Sequence, residues 1–79
     1  MTDYETAIFI NDCREIAATD ELTRERVLEV FLDCAPDLVR IAGSRERVAL
    51  DMKADGTLDG LIATLTQHGV GVAGENDTY

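Results

Sequence analysis

Leu38 to Asp55 reads LVRIAGSRERVALDMKAD. Val39 and Ile41 alternate with Arg40 and Ala42. Beyond Gly43-Ser44-Arg45-Glu46, Val48, Leu50 and Met52 alternate with Ala49, Asp51 and Lys53. A period of two on each side of a Gly-containing turn is the pattern of a β-hairpin with one apolar face. A hairpin alone is marginal in water, so that face needs a cover. The segments on either side have the helical spacing to supply one.

Upstream, Glu5 to Ile10 (ETAIFI) is short, apolar and partly β-branched, which suits a central strand covered on both faces. The competing reading is a helix from Asp3 to Ala18, in which Tyr4, Ile8, Phe9, Cys13, Ile16 and Ala17 share helical spacing. Thr19 or Asp20 then opens a main helix to about Cys34. Val27, Val30, Phe31 and Cys34 form one apolar stripe there, and Leu28, Phe31, Leu32 and Ala35 an overlapping second. On the polar side Glu25, Glu29 and Asp33 form a like-charged i, i+4 row. Pro36 stops this helix. Downstream, Asp55-Gly56 turns the chain and Thr57 caps a helix carrying Leu58, Leu61, Ile62 and Leu65. Gly69 ends that helix as a left-handed cap, and Val70-Gly71-Val72 reads as a short last strand.

The order is therefore strand, helix, hairpin, helix, strand. This βαββαβ pattern predicts a ferredoxin-like split-βαβ sandwich of the α+β class, an antiparallel sheet with two helices on one face. Right-handed crossovers put its strands in the order 4-1-3-2. The alternative is an α-rich domain whose one sheet element is the hairpin. Either way, residues 1–73 make one small domain and residues 74–79 an acidic, disordered tail. In the sandwich, Cys13 and His68 lie at one end and Cys34 at the other, about 21 Å away along a 14-residue helix. That is beyond disulfide reach.

Charge is the strongest compositional signal. Sixteen acids against seven bases give a net charge of −9, and Lys53 is the only lysine. Such a surface disfavours duplex nucleic acid, whose binding relies on clustered Lys and Arg. It also resembles proteins of a high-salt cytosol, where screening relieves self-repulsion. The longest uninterrupted apolar run is Ala7 to Ile10, far short of a membrane span. Asp3 and Glu5 stand where a signal peptide is basic. Two cysteines, Cys13 and Cys34, make no disulfide framework. A cytoplasmic chain with reduced thiols is expected.

Few residues carry a chemical signal. If Asn11 or Asp12 caps a helical turn, Cys13 sits in its first turn, where thiols are activated. In element order the expected fold is similar to the heavy-metal-associated domains, which bind soft metals in the loop after the first strand. The MxCxxC signature of that family is absent, since the loop reads NDCREIA. The resemblance implies at most a soft-metal site from Cys13 and His68 with Asp12 as an oxygen ligand, short of a closed tetrahedral set. Asp51, Asp55 and Asp59 lack the ligand pattern of a calcium loop. Arg24 with Arg26 and Arg45 with Arg47 read as solvated salt-bridge partners, or as a site for an anionic partner.

The functional expectation is a non-enzymatic interaction or regulatory module with no cofactor. It binds a protein partner or itself through the broad face of the main helix, at Val27, Leu28, Phe31 and Leu32. The alternative is a small-ligand or soft-metal module at Cys13 and His68.

Overall fold

Thr2 begins a helix where a polar lead-in to a strand is expected. Its hydroxyl accepts from the Glu5 amide at 3.2 Å, and the Glu5 carboxylate accepts from the Thr2 amide at 3.0 Å. This reciprocal capping box satisfies two amides that a helix start otherwise leaves without partners. In the structure, a computed structural model describing residues 2–73, the helix that follows is α1 (Asp3–Thr19). The remaining elements are α2 (Arg24–Cys34), α3 (Pro36–Ala42), α4 (Arg45–Asp55) and α5 (Thr57–Gln67).

No strand occurs among the described residues. The ferredoxin-like α+β sandwich, its strand order and the hairpin of the α-rich alternative are all overturned. The competing helix over residues 3–18 is what forms. The expected tail at residues 74–79 lies outside the described residues.

The hairpin fails for a local reason. Gly43 takes φ +98° and closes α3, its amide donating to the Val39 carbonyl at 2.9 Å. Ser44 then caps α4, its hydroxyl accepting from the Arg47 amide at 3.1 Å. Gly followed by Ser is a helix stop joined to a helix start. Pro36, expected only to end α2, also begins α3 at a first-turn position, where its missing N–H costs nothing. Within α4 the core takes Val48 and Met52, four apart, and leaves Leu50 65% exposed. The alternation of three apolar residues was a helical pair plus one outward leucine.

α2 is the central helix, packed against α1, α3 and α5. Val27, Leu28, Val30, Phe31 and Leu32 are all buried. Its face is wide because three helices cover it. The expected docking patch at Val27, Leu28, Phe31 and Leu32 is thus core. Phe31 meets Phe9 of α1 edge to face, with ring centroids 6.1 Å apart and planes at 87°, a favoured geometry for aromatic pairs. The like-charged row on the outer side of α2 is answered one acid at a time. Glu25 pairs with Lys53 at 3.4 Å, Glu29 with Arg26 at 2.9 Å and Asp33 with Arg45 at 3.2 Å.

α5 ends as expected, at Gly69 with φ +79°. The Val70 amide donates to the Leu65 carbonyl and the Gly69 amide to the Thr66 carbonyl, the bond pair of a Schellman motif. Its start differs from expectation: Gly56 holds the cap position without a side-chain cap, and Thr57, the first helical residue, donates its amide to Asp55 Oδ1 at 2.9 Å. Val70 and Val72 do alternate inward around exposed Gly71. They form no strand; the segment instead ties to the α1–α2 loop through the Ala73 amide and Leu22 carbonyl at 2.7 Å.

Candidate functional site

Helical spacing on α1 puts Glu5, Ile8, Asp12, Glu15, Ile16 and Thr19 along one side. The buried side of the helix, with Phe9, Ile10 and Cys13, turns into the core. The short link Asp20–Thr23 reverses the chain, so α2 runs back beside α1. Between the two helices, and onto the α2–α3 corner, lie three hollows. The first, about 370 Å³, lies between Glu15, Ile16 and Thr19 of α1 and Arg26 and Val30 of α2. The second, about 230 Å³, lies between Ile8 and Cys34. The third, about 240 Å³, reaches Phe31 and Leu38.

These hollows adjoin one another. Asp12 and Asp33 line both the first and the second, and Glu5 lines both the second and the third. Together they make an open, stepped groove that follows α1 in its first two hollows and meets it only at Glu5 in the third. Its apolar surface comes from Ile8, Ile16, Val30 and Leu38; its rim carries Glu5, Asp12, Glu15, Asp33 and Asp37. Arg26 is the one cation among the described residues lining it. Among the described residues no cation lies within salt-bridge distance of Asp12 or Glu15. Arg45 and Arg40 pair with the rim carboxylates Asp33 and Asp37, while Arg24, Arg47 and Lys53 pair with Asp59, Asp51 and Glu25. The two arginine pairs read from the sequence are therefore salt-bridge partners.

Cys13 and His68 are brought to the same region but not into a site. Arg14 Nη2 donates to the His68 carbonyl at 3.4 Å, so the end of α5 sits beside α1. Cys13, however, is fully buried in the middle of α1, not in a first helical turn. Burial, aided by the Asp12 charge, pushes its thiol up to about 11, the opposite of helix-start activation. His68 is exposed, with Nδ1 2.9 Å from the Thr64 carbonyl. No group of three or more His, Cys, Asp or Glu placed to hold a metal occurs among the described residues. Asp51, Asp55 and Asp59 likewise separate, to Arg47, Thr57 and Arg24.

The expected separation of the two cysteines is also corrected. Cys34 lines the groove opposite Ile8 and Asp12 and is close enough for its charge to raise the Cys13 thiol. Both are free thiols. Partial burial and the carboxylates of Asp12, Asp33 and Glu5 hold the Cys34 thiol above its usual range. The signal for the groove was in the sequence: acids and isoleucines interleaved at helical spacing on residues 5–16. Reading residues 5–10 as a strand split that stripe.

The chain matches no protein-family model, and neither the curated proteins nor the solved structures yield a match. No described helix is long and apolar enough to cross a membrane.

Proposed function

We propose that this chain is a non-enzymatic protein-docking module working through the α1–α2 groove. The observation that carries the reading is the groove itself: an open run of adjoining hollows in which partly exposed apolar side chains lie between carboxylates. Ile8 is 37% exposed and Leu38 47% exposed, so water is displaced from apolar surface when a partner fills it. The trough is too open for a small molecule, which pockets usually enclose on most sides. Support for a non-enzymatic role is chemical. Cys13, the buried nucleophile, is held protonated, and the exposed His68 ring faces its own helix carbonyl. We place the module in the cytosol, on its two free thiols.

The test uses Cys34 as a handle. A photo-crosslinker on Cys34 in a Cys13→Ala background is compared with one on the thiol that Thr57→Cys introduces into a cysteine-free background. The reading expects a discrete adduct from the Cys34 label in extract of the source cells. That adduct is lost when Ile8→Asp and Ile16→Asp leave helicity intact. Equal adducts from both labels, or adducts that survive the double substitution, overturn it.

A further inference from the structure

We propose that the occupant of this groove is a cationic amphipathic helix of a partner protein, about four turns long; the inference rests on the docking reading above and names its partner class. Length sets the first constraint. From Glu5 to Thr19 α1 advances roughly 21 Å at 1.5 Å per residue, the length of a helix of about 14 residues. Helix-in-groove recognition uses anchors at i, i+3, i+4 and i+7. The three adjoining hollows each hold an apolar residue for such anchors to meet: Ile16 in the first, Ile8 in the second and Leu38 in the third.

Charge chooses among occupants of that shape. On the α1 side of the rim, Asp12 and Glu15 have no cation within salt-bridge distance among the described residues, whereas Asp33 and Asp37 opposite are paired with Arg45 and Arg40; Arg26 is the one cation among the described residues lining the groove. A second copy of this chain brings another nine net negative charges, so its surface is repelled. Nucleic acid and anionic lipid are repelled for the same reason. A helix with Lys or Arg flanking an apolar stripe matches both the floor and the rim. Complementary charge of this kind speeds encounter and fixes orientation, while the apolar anchors hold the complex.

The probe is a synthetic peptide of about 16 residues with leucines at i, i+3, i+7 and i+10 and lysines beside them. Its binding is followed by amide chemical shifts of the labelled full chain. Three companions accompany it: a scrambled peptide of the same composition, an oligolysine of equal charge, and a version with serine for lysine. The proposal expects saturable binding of the amphipathic cationic helix, with shifts concentrated at residues 5–19 and 30–38. Neither the scrambled peptide nor oligolysine should reproduce it. Asp12→Lys with Glu15→Lys should weaken binding about tenfold or more. Because binding to the unmodified chain is mapped directly, loss of fold in that variant does not decide the matter. If the serine version binds the groove equally well, the docking reading stands and the cationic partner falls. If oligolysine binds as tightly with shifts spread over every acidic face, the groove has no special role and the proposal is overturned. If no peptide shifts the groove residues, both the partner class and the groove reading fall.

Discussion

Cys13 shows how one side chain reports the fold. It is fully buried among the helices, and its thiol is pushed up to about 11 against an unfolded value near 9. The native state therefore holds this proton more tightly than the unfolded chain does. Its contribution is fully present below pH 9 and is lost as pH rises from 9 to 11. The loss is on the order of 3 kcal/mol. Comparing urea midpoints of the wild type and Cys13→Ala across that range isolates it. The wild type should fall more steeply, and parallel curves would contradict the burial. At about pH 8 the half-buried Cys34 should react with a thiol reagent well before Cys13, whose reaction should await unfolding. Equal rates in the folded chain would count against the packing of α1.

The α3–α4 element carries the decision between helix and hairpin, and residue substitutions separate the two. Leu50 is 65% exposed and Met52 5%. Leu50→Glu should change stability by less than about 0.5 kcal/mol, whereas Met52→Ala should cost about 2–5 kcal/mol. A hairpin places Leu50 and Met52 on the same face, so both changes should then be costly. Gly43→Ala should cost roughly 1 kcal/mol through its positive φ alone, because a Cβ there meets nothing within 4 Å. Ser44→Ala should cost about 1 kcal/mol through the lost cap. Chemical denaturation checks all four.

The same element explains what the sequence made legible. Val48, Leu50 and Met52 satisfy a period of two and, with Leu50 left out, a period near four. Spacing alone does not choose between them. The deciding signals were the helix-forming run RERVALDMKAD and the stop-start pair Gly43-Ser44. In the same way Thr2-Asp3-Tyr4-Glu5 is a capping-box sequence that rules against a strand at residue 5. The breadth of the α2 face and the left-handed cap at Gly69 were legible, whereas Val70-Gly71-Val72, read as a strand, forms none. That three helices cover α2 was not, because a wide apolar face does not say how many neighbours it has. The groove depended on α1 being one unbroken helix, so it was lost with the strand.

At the scale of the whole molecule, net charge and ion pairing oppose each other. The ion pairs are solvent-exposed and worth roughly 0–1 kcal/mol each at most. They leave a net charge of −9, and self-repulsion of that excess destabilises the folded chain. Salt screens both, and the excess dominates. The thermal midpoint should therefore rise from dilute buffer to molar KCl, and a flat or falling midpoint would show that the exposed pairs outweigh the repulsion.

The central claim is that α1 is one helix lying lengthwise beside α2, with the groove between them. A nitroxide on Cys34, in a Cys13→Ala background, tests it most directly through paramagnetic broadening of amide signals. The account predicts that, within α1, broadening is strongest around Ile8 and Asp12, which line the Cys34 hollow with Glu5, and fades toward Thr19. If Asp12 keeps its full intensity while broadening centres on distant residues, as the end-to-end arrangement of a split-βαβ sandwich requires, the fold and the groove described here are both wrong.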